Sequence, residues 1–316
     1  MSVRERKHEL VTVEDFHSAN LIHHGWMSRK SFHKNALPCC VSIADVTVDK
    51  PLQQQLFEGG TGHVEPPVPG LYLGTSGWSY EDWEGSVYPP RTAAGVRLSE
   101  YVKQYATVEI DSTFYGTPRR RTVERWRDIA PDGFLFAAKF PREITHDRSL
   151  VDCESPARTF VDTMDSLGDR LGPLLIQLPP SFTVDGMDAL KKFLAVLPKD
   201  YRYAVEIRHR SWLKSDLLNV LREHGVALTL IDYPGMPRIS TATADFSYVR
   251  WLGDRREFPE GHTHSKKDRD EDLTWWNGVI SGFLEEGKNV FAYANNHYQN
   301  HSPSTLARFL ELREDR

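Results

Sequence analysis

The sequence predicts a single (β/α)8 TIM-type barrel behind a poorly structured N-terminal extension, and three features carry that prediction. From Leu71 onward short apolar runs alternate with longer amphipathic segments, the pattern of parallel strands joined by crossover helices. Eight such runs and seven helical segments fill roughly 245 residues, the arithmetic of this barrel. The runs end in polar side chains, as barrel strands do where they open onto the face that carries active sites. An open doubly wound sheet built from the same elements is the alternative.

Residues 1–68 form the extension. They hold six of the 13 histidines, carry seven basic and eight acidic residues, and lack sustained periodicity. The stretch Glu65-Pro66-Pro67-Val68-Pro69-Gly70 favours an extended chain and closes that segment, so residues 69–316 are assigned to the barrel. Strands are expected at 71–74, 107–111, 134–139, 173–177, 203–208, 226–232, 246–251 and 289–294. Helices are expected at 99–105, 119–129, 158–167, 187–197, 213–224, 271–285 and 304–313. Only the link after the sixth strand, with Pro234-Gly235-Met236-Pro237, is too proline-rich for a helix. At 40% hydrophobic and 11% aromatic content, 316 residues suffice to bury a full core.

A net charge of −5 and a pI near 6.2 remove the whole-chain electrostatic argument for tight binding to nucleic acid or a membrane surface. No apolar run approaches the roughly 18 residues of a membrane span, and the charged start Met1-Ser2-Val3-Arg4 has no apolar stretch behind it. The expected location is cytoplasmic, with no membrane partner. Cys39, Cys40 and Cys153 are odd in number and lack CxxC spacing, which predicts neither a disulfide framework nor a cysteine zinc site. The histidines of the extension are read as solvated rather than metal-binding.

Because side chains alternate across a barrel wall, the last inward residue of each strand opens onto the C-terminal mouth. Glu109 and Asp111 occupy that place on the second strand, Lys139 on the third, Gln177 on the fourth, and Glu206 with Arg208 on the fifth. Asp232, Arg250 and Asn295 follow on the last three. Clustered carboxylates repel unless cations or shared protons compensate, and that shifts carboxyl pKa values toward a useful range. Glu109, Asp111, Lys139, Glu206 and Asp232 are therefore the catalytic candidates. Arg208 and Arg250 offer planar forks suited to carboxylate or phosphate. Gln177 and Asn295 add polar contacts, and Trp78 and Tyr115 stand in strand-end loops where they can wall a pocket. The loop Gly74-Thr75-Ser76-Gly77 is not a dinucleotide fingerprint, since a third spaced glycine is absent and Glu81, Asp82 and Glu84 would repel a pyrophosphate. Lys139 is expected to be buried within ion-pair reach of Glu109 or Glu206, because a lone buried ammonium is costly. Should Arg208 outweigh the carboxylates, Lys139 would instead have a depressed pKa suited to a Schiff base.

Several motifs closely resemble the YecE-like family, domain of unknown function 72. They are Gly74-Thr75-Ser76-Gly77-Trp78 with Trp83 and Tyr88-Pro89, Val108-Glu109-Ile110-Asp111-Ser112-Thr113-Phe114-Tyr115, and Phe136-Ala137-Ala138-Lys139. The likeness continues through Leu175-Ile176-Gln177-Leu178-Pro179-Pro180, Val205-Glu206-Ile207-Arg208-His209-Arg210-Ser211-Trp212, Tyr248-Val249-Arg250 and Asn295-Asn296-His297. It covers nearly all of residues 70–314 and implies a TIM-type barrel with a polar pocket, without a securely assigned reaction. His209 and Asn296, which lie in these motifs, complete the expected binding set. Two departures stand out. Trp251 follows Arg250 where many relatives have histidine, and Asn300 replaces a common glycine, although Asn tolerates the left-handed conformation.

The leading functional expectation is a hydrolase or lyase acting on a polar or anionic small substrate. A mutually neutralised structural cluster and a non-catalytic ligand-binding module are alternatives. A nucleic-acid-binding or processing barrel resembling endonuclease-type barrels draws on Arg119-Arg120-Arg121, Lys266-Lys267 and eight tryptophans. It is not favoured, since Glu124 and Asp128 make the arginine run read as a solvated helix face. No cofactor is expected. Magnesium or manganese on Glu109, Asp111, Glu206 and Asp232 is chemically allowed, but Lys139 would compete for the site. His146, His209 and His297 alone near strand ends do not make a zinc cluster.

Overall fold

The computed structural model describes residues 65–314; expectations for residues 1–64, with Cys39 and Cys40, lie outside them. Eight parallel strands pair in sequence order and close on themselves, which excludes the open sheet. They are β1 (Leu71–Ser76), β2 (Thr107–Ile110), β3 (Leu135–Lys139), β4 (Leu171–Gln177), β5 (Tyr203–Glu206), β6 (Ala227–Asp232), β7 (Phe246–Trp251) and β8 (Asn289–Ala294). Closure runs from Leu71 opposite Val290 to Thr75 opposite Ala294. The helices are α1 (Arg97–Tyr101), α2 (Arg120–Ile129), α3 (Glu154–Met164), α4 (Met187–Val196), α5 (Leu217–His224), α6 (Asp270–Glu285) and α7 (Ser302–Glu314). No helix joins β6 to β7 among the described residues, as the prolines of that link predict.

Two apolar layers follow from strand alternation. Outward residues such as Val108, Ile110, Leu174, Ile176, Leu228 and Leu230 pack under the helices. The barrel interior is a separate cluster in which Phe246, Tyr248, Phe291 and Tyr293 are balanced by Ala137, Ala204 and Ala227 with Leu175. Large side chains from β7 and β8 thus fill the space left by alanines on β3, β5 and β6. Gly74 lets β1 approach β2, since a Cβ there would lie 2.2 Å from the Thr107 carbonyl oxygen.

The same alternation decides which polar residues reach the mouth. Phe246 and Tyr248 point inward, so Arg250 does too. Thr107 bonds the inward Tyr293 hydroxyl at 2.8 Å, which places Glu109 and then Asp111 on the interior face. On β6 the inward residue is Ala227, so Thr229 and Ile231 follow it inward and Asp232 faces outward. Strand β5 ends at Glu206, two residues sooner than expected. Short 3-10 turns at Ser112–Tyr115, Arg210–Lys214 and Asn296–Tyr298 and a π turn at Glu143–Asp147 follow the strands. Asn300 adopts φ 79°, as its tolerance of the left-handed region allows. No described helix is long and apolar enough to cross a membrane. Cys153 is a buried free thiol.

Candidate active site at the C-terminal mouth

The base of the mouth is a buried chain of charges. Arg250, 3% exposed, donates from Nη1 to Glu206 Oε2 at 2.7 Å and from Nη2 to Glu109 Oε1 at 2.6 Å. Both glutamates are fully buried. Ser76 Oγ donates to Glu109 Oε1 at 2.8 Å and the Tyr248 hydroxyl to Oε2 at 2.6 Å. Arg208 Nε donates to Glu206 Oε1. Two carboxylates and two guanidiniums thus neutralise one another, with every carboxylate oxygen bonded, which is what charges at this depth require. Burial pushes the Glu206 pKa up, but Arg208 and Arg250 outweigh it and hold the carboxyl at about 2.

Above this chain opens a cavity of about 680 Å³ lined by Asp111, Tyr115, Lys139, Gln177, Arg208 and Asn295, among others. Asp111 meets Arg250 Nη2 only at 3.7 Å, with a third of its side chain exposed. Its carboxylate accepts no hydrogen bond among the described residues. Burial and the nearby Glu109 raise its pKa to about 6, against the pull of Arg250 and Lys139. Arg208 stacks on the Tyr233 ring at 4.0 Å from its centroid, and its two terminal nitrogens have no protein acceptor among the described residues. Tyr115, 88% exposed, stands at the rim, and Gln177 is anchored by its Nε2 bond to the Leu178 carbonyl at 2.9 Å.

Lys139 corrects an expectation. It is half-buried at the inward end of β3, but it forms no direct ion pair with Glu109 or Glu206 among the described residues. The oxygens of those carboxylates are bonded by the arginines and hydroxyls instead. Its ammonium lies instead 4.0 Å from the centroid of the Phe114 ring. Burial lowers its pKa, Asp111 opposes that, and Arg250 adds to it.

Four other expected residues lie outside the cavity. Asp232, on the outward parity of β6, accepts from Trp276 Nε1 and the Tyr298 hydroxyl at 3.0 Å each and pairs with Arg238 at 2.7 Å. It ties the barrel to α6 and the β8 loop. His209 caps the following turn, its Nδ1 accepting from Ser211 N at 3.1 Å. Asn296, 2% exposed, accepts from Ser302 N and Oγ at 3.0 and 2.7 Å and fixes the start of α7. Trp78 packs edge-on against Trp126 at 5.6 Å and lines a separate hollow with Arg119, Arg121 and Arg125. Arg120 is tied to Ser166 Oγ at 2.9 Å, and Lys267 pairs with Glu257 at 2.6 Å.

Sequence reading missed His297, Tyr233 and Phe114 as pocket residues. His297 lines the cavity and donates from Nδ1 to the Phe258 carbonyl at 2.6 Å, which fixes the neutral tautomer with an acceptor at Nε2. Burial lowers its pKa against that hydrogen bond. Gly253, at φ +66°, makes this loop possible, since a Cβ there would lie 2.0 Å from the His297 carbonyl oxygen. A larger hollow of about 890 Å³ lies at the opposite end of the barrel, around Lys199, Arg202, Arg222 and His224. That face serves mainly stability in such barrels. Among the described residues no three His, Cys, Asp or Glu side chains gather so as to hold a metal ion.

Comparison with known proteins agrees with the barrel. The chain is 32% identical over 168 residues to UPF0759 protein YecE of Escherichia coli K12, a match covering 51% of this chain and 59% of that protein, so it spans about three fifths of that relative. It is 26% identical over 273 residues to UPF0759 protein YunF of Bacillus subtilis 168, covering 77% of this chain and 94% of that protein. A crystal structure of a DUF72 family protein from Thermotoga maritima MSB8 superposes with a TM-score of 0.64 at 26% identity, over 77% of this chain and 99% of that one. One from Enterococcus faecalis V583 gives 0.63 at 19% identity, over 77% and 95%, a likeness of fold. The family described as "Protein of unknown function DUF72" matches residues 72–316, and the chain belongs to that family.

Proposed function

We propose that the mouth is the active site of a hydrolase or lyase acting on a small polar, anionic substrate. One observation supports this above the others: over a charge-balanced base, Asp111 and Lys139 are left without the close partners that Glu109 and Glu206 have. Asp111, with a pKa near neutrality, is suited to move a proton in either direction. The Arg208 fork supplies two donors for a carboxylate or phosphate group. Glu109, Glu206 and Arg250 are positioning residues that hold Arg208 and the strand ends in place. The electrostatics favour a small ligand over nucleic acid, and a cytoplasmic setting, where a thiol such as Cys153 stays reduced, belongs to the same reading.

The test is a turnover screen over small phosphate esters and carboxylic acids with wild type and Asp111→Asn. Turnover with a pH limb near 6, reduced by about 10²-fold or more in the variant at a thermal midpoint no lower than that of wild type, is expected. Full activity in Asp111→Asn would refute the assignment. Inorganic phosphate bound at the mouth with no turnover of any compound would replace catalysis by the ligand-binding alternative.

A further inference from the structure

The environment of Lys139 is unusual for a lysine inside a cluster of acids. Glu109 Oε1 accepts from Ser76 and Arg250, and its Oε2 accepts from Tyr248. Glu206 Oε1 accepts from Arg208 and its Oε2 from Arg250. Every oxygen of both buried carboxylates is already engaged, and Lys139 pairs with neither of them among the described residues. What surrounds it is the Phe114 ring, the partly exposed Asp111, the Arg250 guanidinium and, farther off, the already engaged Glu206 and Glu109. The ring favours the charged form, as does Asp111. Burial, the largest effect, and Arg250 favour the free amine and prevail over Asp111, Glu206 and Glu109, leaving the pKa below that of an ordinary lysine. A half-buried amine beside other cations is the arrangement that activates lysine as a nucleophile.

We infer that Lys139 forms an imine with a small carbonyl compound bearing a carboxylate or phosphate, whose anionic group is taken by Arg208. This rests on reading the mouth as an anion-binding active site, and it narrows the substrate class. The free amine of Lys139 adds to the carbonyl carbon, forming the C–N bond, while the π pair of the carbonyl moves to its oxygen. Protonated Asp111 gives that oxygen its proton, and the Asp111 carboxylate then takes one from nitrogen. A second proton, delivered from solvent through Asp111, lets the hydroxyl leave as water, and the nitrogen lone pair completes the C=N bond. The protonated imine accepts an electron pair from a bond broken at the neighbouring carbon, which is the lyase branch of the proposed function. No oxidant, reductant or metal enters the balance.

The test uses the full chain with pyruvate, glyoxylate and dihydroxyacetone phosphate as probes, each treated with sodium borohydride and read by intact mass and peptide mapping. The carboxylate and phosphate arms distinguish the two anionic groups. One reduced adduct per chain on Lys139 is expected with at least one probe, blocked by inorganic phosphate and lost in Lys139→Arg, which keeps the charge. Trapping should slow by about a hundredfold in Asp111→Asn. Calorimetric binding of inorganic phosphate is measured in parallel. If phosphate binds wild type and Lys139→Arg alike while no probe labels Lys139, the imine is overturned and the anion-binding reading stands. If phosphate does not bind either, both fail. Adducts on surface lysines that persist unchanged in Lys139→Arg also overturn the inference.

Discussion

Replacing Arg250 by Met removes the guanidinium from the base of the mouth while keeping most of its apolar length. In the native protein Glu206 is held at about 2 against an ordinary 4.5, which corresponds to roughly 3 kcal/mol of stability at neutral pH. Because this folded pKa is depressed, that contribution is present above pH 4.5 and is lost as pH falls toward 2. In Arg250→Met, Glu206 keeps only Arg208, and Glu109 keeps only Ser76 and Tyr248. Removing one member of a buried ion pair costs about 3–5 kcal/mol, or roughly 10 °C in melting temperature for a domain of this size. The stranded glutamates remain buried, so their folded pKa values should now rise above the unfolded ones. The deficit against wild type should then be largest near pH 7.5 and shrink below about pH 5. Urea unfolding of both proteins at pH 7.5 and 4.5 measures this. A loss under about 1 kcal/mol at pH 7.5, or a deficit that grows on acidification, would refute the reasoning.

Asp111→Asn tests the opposite sign. The native carboxyl is raised to about 6, so it favours folding most at low pH and loses that contribution as pH rises through 6. The variant should therefore unfold at slightly higher urea than wild type at pH 8, by about 1 kcal/mol once solvent screening is allowed for, and the gain should be roughly halved at pH 5 and vanish below about pH 3.8. Asp232→Ala strands two donors, from Trp276 and Tyr298, and leaves Arg238 to Asp272 alone, and should lower stability by about 2–4 kcal/mol in thermal denaturation. Its calorimetric phosphate affinity should match wild type, since Asp232 lies outside the cavity. Gly253→Ala forces a Cβ onto the His297 carbonyl and should cost about 3 kcal/mol or more, read by the same denaturation. Arg208→Lys keeps a charge but loses the fork, and should weaken inorganic phosphate binding by about tenfold.

The barrel was legible because its strands are apolar runs of four to seven residues with polar ends, and because prolines 234 and 237 announced the one link without a helix among the described residues. Much of the mouth was legible too. Glu109, Asp111, Lys139, Gln177, Glu206, Arg208, Arg250 and Asn295 all fall where inward alternation puts them. Asp232 went the other way because 226–231 is uniformly Val, Ala, Leu, Thr, Leu, Ile. Such a run carries no visible alternation, and only Ala227 facing Phe246 and Tyr248 across the interior fixes its parity. His209 and Asn296 turned away because β5 and β8 end earlier than the polar motifs, and the 3-10 turns that follow re-aim each side chain. Lys139 was placed correctly and paired wrongly. That Arg250 bridges both buried glutamates depends on how β7 sits opposite β2 and β5, which a sequence does not display. The role of His297 hangs on Phe258, 39 residues away along the chain.

A crystal structure of the wild-type protein grown with pyruvate, without borohydride, bears most directly on the claim that this mouth is an anion-binding active site. The account predicts electron density for the ligand with its carboxylate within hydrogen-bond distance of the terminal nitrogens of Arg208 and its carbonyl carbon beside Lys139 Nζ and Asp111. It also predicts that Glu109, Glu206 and Arg250 stay as they are. Pyruvate found only outside the mouth, or Arg208 turned away from it toward a protein carboxylate, would contradict the account.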